Sequence, residues 1–389
     1  MSSLTVESFG GVEALGALEP EWRDLSDAYG AGLPFRTWEW HDSWWRHLAE
    51  HRLGVEDAPR VQAFRDRSGR LVAVAPLMLT RRPGSGPLAV RAIDFLGADP
   101  NITELRGLLC DPAWEREVHA ALLAQLRARA EEWDWLYWRG IRSGGELERA
   151  LSAEPDVQFL EDVPNYVLPL EGTWEKFRAS RSRNLKESLR KCYNSLKRDG
   201  HRFGFAVAIA PAEVAAALER FWELHGARAR LGGTVRHLDV FAAPPARAFL
   251  ADVCQRLALR GQVRVFQLLI EDQVVAARIG FALGDSLYLY YSGYDPRWAP
   301  YSVMTTALAE AIKHALEAGV RVVNLSNGTD VSKTRWSPQE VVYRSAVQLS
   351  PTRRGRLAYR AWNSLTRGVL PAAWREAARS LLGRQARPS

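Results

Sequence analysis

The alternation of apolar and polar residues between positions 262 and 292 predicts three strands in succession. Two β-rich stretches, residues 262–270 and 274–283, are separated by the polar turn Glu271-Asp272-Gln273, a pattern typical of a hairpin. The turn Gly284-Asp285-Ser286 then opens an aromatic stretch at 287–292. We therefore expect an antiparallel meander.

A helix and a further strand are predicted after the meander. The segment Gly293-Tyr294-Asp295-Pro296 is expected to stop the third strand, and apolar residues at helical spacing run from Met304 to Leu316. Gly319 is expected to close this helix. Residues 320–325 have the composition of a strand, and a strand that follows a helical crossover can lie parallel to the one before it. The predicted unit is β-β-β-α-β.

Several short blocks in and around this unit carry a family resemblance. They are Gly293-Tyr294-Asp295-Pro296, Tyr301-Ser302, Gly328 with Lys333, and the upstream run Ser180-Arg181-Ser182-Arg183-Asn184-Leu185. Together with the tryptophan-rich segment 35–45, they resemble the CelD-like group of the GNAT-superfamily acyltransferases, which is related to the Fem-type tandem GNAT proteins.

The resemblance implies an acyl-CoA co-substrate, acetyl-CoA or a longer acyl chain, and direct transfer to an amine without a covalent enzyme intermediate. In a GNAT-like core the strand before the crossover helix pairs with pantetheine, and the helix entry presents N–H groups to the pyrophosphate. The relatives place a glycine just after the Tyr-Ser pair, where this chain has Val303 and Met304. A glycine there allows close backbone approach to an anion.

The resemblance implies which residues of this chain form the site. We expect the catalytic proton transfers to involve Tyr290, Tyr291, Asp295 or Tyr301, although aromatic strand residues more often belong to a core. The expected cofactor-binding residues are Leu289, Tyr301, Ser302, Val303, Thr305, Thr306, Asn327 and Lys333. The expected substrate-binding residues are Arg181, Arg183, Asn184 and Arg335. Ordinary N-capping is the alternative role for the hydroxyl of Ser302.

The helix predicted at 182–198 is strongly basic. Its apolar stripe is Leu185, Leu189, Tyr193 and Leu196, and seven cations between Arg181 and Arg198 face only Glu187 and Asp199. Such a helix can bind an anion, or it can be a solvated charged face on a packed helix.

The first 165 residues have a similar order of elements. A helix is predicted at 38–49, a hairpin at 61–66 and 71–79, a long helix at 114–132 and a strand at 135–138. We therefore predict an α+β protein with two tandem GNAT-like domains, each a mixed, mostly antiparallel sheet flanked by helices. The predicted bounds are 1–165 for a degenerate N-terminal domain, 166–349 for the acyl-CoA-binding domain and 350–389 for a basic helical tail.

The net charge of +7 is concentrated at the C-terminus. Residues 351–389 hold nine arginines and one acidic residue, whereas the rest of the chain is close to neutral. The tail is expected either to pack on its own domain or to contact an anionic membrane or a carrier partner. Nucleic-acid binding is disfavoured because no nucleic-acid-binding module accompanies the arginines.

Other classes of protein are disfavoured by the sequence. His47-Leu48-Ala49-Glu50-His51 matches a zinc-peptidase signature, but the helix is expected to end at Gly54, right after the second histidine, and a five-residue match is unspecific, so no metal is expected. Three widely spaced cysteines predict no disulfide framework and favour a reducing, cytoplasmic location. No leader and no membrane-spanning run are visible, so a soluble protein with at most peripheral membrane contact is expected.

The predicted function is transfer of an acyl group from acyl-CoA to the amine of a small molecule or peptide. Two alternatives remain at the level of sequence. One is an aminoacyl-tRNA-dependent transferase of the Fem type, although no long heptad segment is present. The other is a non-catalytic scaffold that binds partners through the tryptophan-rich segment and the tail.

Overall fold

The structure is a computed structural model that describes residues 4–367 apart from 12, 53, 85, 87–88, 100 and 232–236. The strands are β1 Thr5–Phe9, β2 His51–Arg52, β3 Val55–Pro59, β4 Val61–Arg65, β5 Leu71–Ala75, β6 Leu77–Arg82, β7 Val90–Phe95, β8 Leu109–Cys110, β9 Trp135–Arg142, β10 Val157–Pro169, β11 Phe203–Ala208, β12 Val263–Ile270, β13 Gln273–Leu283, β14 Ser286–Tyr294, β15 Val322–Asn327 and β16 Gln339–Leu349. The α-helices are α1 Glu13–Ala17, α2 Glu19–Tyr29, α3 Trp38–Leu48, α4 Glu115–Ala128, α5 Glu146–Ser152, α6 Trp174–Ala179, α7 Arg183–Arg198, α8 Pro211–Ala229, α9 Pro244–Leu259, α10 Val303–Glu317, α11 Val331–Thr334 and α12 Arg353–Arg367.

The chain forms two compact units. Within the described residues, the first unit contains 4–30, 35–163 and 342–367, and the second unit contains Ala31–Pro34 and Pro164–Val341. Both units combine mostly antiparallel strands with flanking helices, which confirms the predicted fold class. The domain bounds predicted from the sequence stay a prediction. No helix within the described ranges is long and apolar enough to cross a membrane.

The second unit contains the predicted β-β-β-α-β run. Its strands pair in the order β11-β12-β13-β14-β15-β10, and the β14–β15 pair is parallel. The β12–β13 hairpin turns through Glu271 and Asp272, both in the left-handed region with φ of 48° and 64°. Positive φ at both central residues gives the turn the twist that a two-residue hairpin needs. The meander and the parallel crossover are therefore confirmed.

Helix α10 ends as predicted at Gly319. This glycine has φ of 73°, its N–H donates to the carbonyl of Leu316, and the N–H of Val320 donates to the carbonyl of Ala315. These two hydrogen bonds satisfy carbonyls that the end of a helix would otherwise leave open. The third strand of the meander is longer than predicted, because β14 includes Gly293 and Tyr294, and the chain leaves the strand only at Asp295-Pro296.

The first unit also contains a parallel pair joined by one helix. Strands β7 and β9 pair in parallel at Ala92–Trp135 and Ile93–Leu136, and α4 is the crossover. The strands of this unit pair in the orders β1-β4-β5-β8 and β16-β9-β7-β6-β3-β2. The prediction of one strand at 71–79 is wrong: Pro76 separates β5 from β6, and these two strands lie in different sheets. Proline has no N–H to donate, which favours such a break.

Two other predicted helices differ from the structure in ways that bear on function. The helix predicted at 114–132 consists of α4 with a 3₁₀ turn at each end. Helix α3 ends at Leu48, and His51 lies in β2, so the two histidines of the zinc-peptidase match are on different elements. Within the described residues no group of three or more His, Cys, Asp or Glu side chains lies close enough to hold a metal ion.

Helix α12 packs on the first unit. Tyr359 and Trp362 are buried with ring centroids 5.5 and 5.8 Å from that of Trp135. Arg354 donates to Asp134 and to the carbonyl of Ala89. This part of the basic tail therefore covers its own unit, while the tail residues from 368 onward lie outside the described residues.

Candidate functional site

The parallel ladder between β14 and β15 is short. Its register runs from Ser286–Val322 through Leu287–Val323 to Tyr288–Asn324. Farther along, β14 continues its pairing with β13 as far as Tyr294, while β15 pairs with β10 as far as Asn327. Beyond Tyr288–Asn324, each of the two strands pairs only with its neighbour on the far side, β13 or β10, so β14 and β15 diverge. The C-terminal half of β14 therefore has an unpaired backbone edge on the side that faced β15.

A β-bulge lies on β14 just after the ladder ends. Arg278 of β13 pairs with Ser292, but Gly280 pairs with Leu289, so Tyr290 and Tyr291 together oppose Ile279. A bulge places one extra residue in a strand and redirects the side chains there. The rings of Tyr290 and Tyr291 accordingly lie 4.6 Å apart at 87° and both contact the ring of Phe241.

The entry to α10 uses an unusual backbone conformation. Ser302, at the N-cap position, is left-handed with φ of 53° and ψ of 42°, and its side chain makes no capping hydrogen bond. The expectation that its hydroxyl caps the helix is therefore wrong. Left-handed backbone is the conformation that glycine adopts most easily, so the strained position is Ser302 itself, one residue before Val303.

Side chains from α7 and α10 lie together at this helix entry. Burial raises the pKa of the Cys192 thiol on α7, while the hydroxyls of Ser302 and Thr306 and the charge of Arg335 lower it. Thr306 and Val303 are buried, and Thr305 is half-buried. Ser302 and Thr306 thus lie at the positive end of the α10 dipole beside Cys192, and the charge of Arg335 acts on the same thiol. Within the described residues no carboxylate lies within ion-pair distance of Arg335.

Asp295 has a structural partner. Its carboxylate accepts from the N–H of Arg297 at 3.0 Å and from the Arg297 guanidinium at 2.6 to 3.1 Å, and so it caps the 3₁₀ turn that follows β14. The hydrogen bonds from Arg297 lower the pKa of Asp295. A carboxylate with a lowered pKa is a weak base, which disfavours Asp295 as the proton acceptor.

Tyr301 lies on the side of the helix entry that faces the end of α7. Its hydroxyl donates to Asp199 at 3.1 Å and lies 3.1 Å from Nε2 of His201. Partial burial and the Asp199 carboxylate raise the pKa of Tyr301. Tyr301 is thus separate from the Tyr290–Tyr291 pair, and the four predicted catalytic residues do not form one group.

The substrate-binding residues predicted on α7 and in the segment just before it differ in exposure. Arg181 donates to the carbonyl of Trp336 at 2.7 Å and stacks over the ring of Phe177 at 4.6 Å. Arg183 is exposed and forms an ion pair with Glu187, and Asn184 is exposed. The stripe predicted for this helix is confirmed, with Leu185, Leu189 and Leu196 buried. Arg181 therefore links the start of α7 to the segment at Trp336, while Arg183 and Asn184 face solvent.

The remaining predicted cofactor residues lie around the end of β15 and in the core. Lys333 donates to the carbonyl of Asn327, and the Asn327 side chain accepts from Asn165 at 2.9 Å. Leu289 is fully buried, so only its backbone can face a ligand. These contacts fix the loop after β15 beside the end of the strand.

A further cluster of polar side chains lies beside the diverging strands, and no sequence pattern predicts it. Arg228 of α8 donates to the Ser292 hydroxyl on β14 at 3.0 Å and to Nε2 of His237 at 3.0 Å. His225, one helical turn earlier, has Nδ1 3.2 Å from the carbonyl of Ser292. Asp330, just after β15, acts electrostatically on both Arg228 and His237. These residues therefore lie beside the C-terminal half of β14, near the loop that follows β15.

Gly293 explains how α8 approaches β14 so closely. A Cβ atom at this position would lie 2.3 Å from the backbone nitrogen of His225 and 2.5 Å from the carbonyl carbon of Leu224. Only glycine admits the helix backbone at this distance. Gly293 therefore indicates that a helix packs closely on β14, but the sequence motif does not indicate which helix.

The comparable parallel pair of the first unit has a different polar character. A cavity of about 90 Å³ lies beside β9 and β16 and is lined by Arg106, Arg139 and Arg344, among others. All three arginines form ion pairs with carboxylates, those of Asp94, Glu161 and Glu148 respectively. This neutralised cavity contrasts with the environments of Arg228 and Arg335.

Comparison with known proteins supports the GNAT character of the second unit. Residues 183–334 match the family model of the acetyltransferase (GNAT) domain. This range includes α7, α8, the meander, α10 and β15, and it lies within the part of the chain that carries the resemblance. A comparison with curated proteins gives no match. The CelD-like subgroup stays a prediction.

Solved structures share the fold of almost the whole chain at low sequence identity. FemX is 12% identical with a TM-score of 0.56, over 84% of this chain and 95% of that one. The C-terminal domain of a putative lysylphosphatidylglycerol synthetase from Agrobacterium fabrum is 12% identical with a TM-score of 0.53, over 92% and 100%. L-PGS from Bacillus licheniformis is 13% identical with a TM-score of 0.50, over 88% and 94%. At such identities the similarity concerns the fold alone.

Proposed function

We propose that this protein is an acyl-CoA-dependent N-acyltransferase that moves the acyl group directly to an amine acceptor. The observation that carries the proposal is the ladder that stops at Tyr288–Asn324, followed on β14 by the bulge at Tyr290–Tyr291. It lies inside the segment that matches the acetyltransferase (GNAT) domain. The diverging strands offer the backbone edge on which an extended pantetheine arm can form hydrogen bonds like an added strand.

The phosphates of the cofactor would bind at the start of α10. The N–H groups of Val303 and Met304 belong to the first turn, where helices lack internal partners for their donors. Arg335, whose charge acts on Cys192 near the helix entry, would add a positive charge for the phosphates. In this proposal Val303 and Met304 act through their backbone, so the absence of glycine after the Tyr-Ser pair is compatible with phosphate binding.

The reaction would take place at the bulge. The neutral amine attacks the thioester carbonyl, the new N–C bond forms, and the C–S bond breaks to release the CoA thiolate. A backbone N–H of the bulged segment would stabilise the oxyanion of the tetrahedral intermediate. The amine loses one proton to a base, and the thiolate gains one from an acid.

Among the predicted catalytic residues, Tyr291 is best placed to act as the acid. It is half-buried on the bulge, and its ring contacts His225 edge-on at 5.5 Å. Tyr290 is buried, whereas Asp295 and Tyr301 are bound to Arg297 and Asp199 respectively. We therefore assign proton donation to the thiolate to Tyr291.

A panel of acyl-CoA thioesters tests the proposal. Purified protein would be incubated with each thioester, followed by thermal shift measurements and mass spectrometry of anything retained. We expect at least one acyl-CoA to raise the melting temperature and to yield an acylated amine when acceptors are added. A melting curve that no CoA thioester changes would contradict the proposal.

A second candidate donor is an aminoacyl-tRNA. It is favoured by the fold shared with FemX at a TM-score of 0.56. An aminoacyl ester would present the same kind of carbonyl to the bulge, but its nucleic-acid part would need a much larger surface than CoA. The two donors are separated by one comparison: stabilisation by charged tRNA and not by acyl-CoA would select the aminoacyl donor.

A further inference from the structure

We propose that Arg228 binds an acidic group, a carboxylate or a phosphate, on the amine acceptor. The inference rests on the proposed acyl transfer and adds the chemical class of the acceptor. The acidic group would lie against Arg228 and Ser292, with the amine directed toward the bulge on β14. No residue of this subsite is among the substrate-binding residues predicted from the sequence.

The position of Arg228 fits an acceptor subsite. Its Nη1 atom lies 3.0 Å from the hydroxyl of Ser292, which follows the bulge residue Tyr291 directly on β14. The charge of Asp330, at the start of α11, also reaches Arg228. A ligand bound to Arg228 would thus be near the atoms of β14 where the thioester is expected.

The charge of Arg228 has no close counter-ion in the part of the chain that the structure describes. Its two side-chain partners, Ser292 and His237, are both neutral acceptors, because an imidazole nitrogen accepts from arginine only without its proton. No carboxylate there lies within 4.0 Å of it. Residues 232–236, which precede His237, contain no Asp or Glu.

Burial makes the lack of an ion pair within 4.0 Å, among the described residues, informative. Arg228 is half-buried, and burial lowers its pKa. A guanidinium taken partly out of water is stabilised by a carboxylate or phosphate that accepts two of its hydrogen bonds. Arg106, Arg139 and Arg344 in the first unit each form an ion pair with a carboxylate, whereas Arg228 has its donors directed at neutral groups.

His225 is a second and independent sign that a ligand completes this site. It is only 5% exposed, and because its Nδ1 donates to the Ser292 carbonyl, its Nε2 is a hydrogen-bond acceptor. Among the residues that the structure describes, this buried Nε2 has no hydrogen-bond partner, and Oδ1 of Asp239 lies 3.8 Å away, beyond hydrogen-bond distance. An N–H of the acceptor would satisfy it. His225 and Arg228 are three residues apart on α8 and therefore share a face.

Matched ligand pairs test the inference by equilibrium calorimetry. Glycine is compared with glycinamide for the carboxylate, and phosphoethanolamine with ethanolamine for the phosphate, each titrated into the full chain. We expect at least one member that carries the acidic group to bind roughly 10- to 100-fold more tightly than its partner without that group, the range for a hydrogen bond to a charged group. The pair that shows the preference identifies the acidic group.

Variants assign the preference to Arg228. Arg228→Met should remove it and Arg228→Lys should retain part of it, whereas Arg230→Met, which removes an exposed cation from the end of the same helix, should leave it intact. Equal affinities within both pairs, or a preference that survives in Arg228→Met, would overturn the inference. The titrations need no acyl-CoA, so a failure of the proposed acyl transfer is detected separately, by the thioester panel.

Discussion

Tyr288 and Asn324 form the last pair of the parallel ladder between β14 and β15. Asn324 is held from the opposite side: its amide and that of Asn165 on β10 exchange hydrogen bonds of 3.0 and 3.2 Å. Its Oδ1 also accepts from the N–H of Ser326 at 2.8 Å. The end of β15 is thus fixed to β10 at the point where β14 and β15 diverge.

The Asn165–Asn324 pair predicts a coupled loss of stability. Asn165→Leu should lower the free energy of unfolding by about 1–3 kcal/mol, because the buried amide of Asn324 loses its partner. The double variant Asn165→Leu/Asn324→Leu should cost less than the sum of the two single variants, as measured by urea denaturation. Additive losses would show that the two amides do not stabilise each other.

The sequence was informative about the second unit for a physical reason. The strands at 263–270 and 273–283 alternate or remain apolar over most of their length, and the polar Glu271-Asp272 turn separates them, so local pattern and tertiary structure agree. Gly319 was predictable because a left-handed helix end favours glycine.

Other features depend on contacts that no local pattern encodes. The break at Pro76 sends β5 and β6 into different sheets, although residues 71–79 have the composition of one strand. Arg228 and His225 become neighbours of Ser292 only when α8 packs on β14, more than 50 residues later in the chain. The left-handed conformation of Ser302 has no signal in its own identity, since serine at a helix entry ordinarily caps.

Substitutions at Ser302 test whether its left-handed backbone or its hydroxyl matters for stability and CoA binding. Because a left-handed L-residue is strained by about 1–2 kcal/mol, Ser302→Gly should keep or raise the free energy of unfolding and keep CoA affinity. Ser302→Val, a β-branched residue in the same conformation, should lower stability by about 1 kcal/mol or more. Thermal unfolding and CoA titration of both variants measure this. If the glycine variant were as impaired as the valine variant, the serine hydroxyl and not the backbone would be decisive.

Asp295 predicts a specific dependence of stability on pH. Its pKa is lowered below the ordinary value of 3.8 by Arg297, so folding favours the ionised carboxylate. Its contribution is therefore complete above the unfolded pKa and is lost as the pH falls through the lower, folded pKa. Asp295→Asn keeps an oxygen that can cap the turn but removes the charge that pairs with the exposed Arg297, so it should lower stability at neutral pH by about 0.2–1 kcal/mol and flatten the acid-side decline.

The same variant separates a structural from a catalytic role for Asp295. If the carboxylate only caps the turn, Asp295→Asn should leave the shape of the kcat profile between pH 6 and 9 unchanged, measured below the melting temperature. Loss of a limb of that profile, with stability unaffected, would instead identify Asp295 as the catalytic base.

The most direct test of the account is the affinity of acetyl-CoA for wild type and for Thr305→Glu, measured by isothermal titration. An acidic residue in the first turn is compatible with the dipole of α10, but it would repel phosphates placed beside Thr305. Ala216→Glu, on the exposed face of α8, is the control for added charge. Wild type and Ala216→Glu should bind acetyl-CoA with similar affinity, and Thr305→Glu should bind it at least roughly tenfold more weakly, the effect of about 1.4 kcal/mol. Equal affinity in all three proteins, or no binding by wild type, would contradict this prediction.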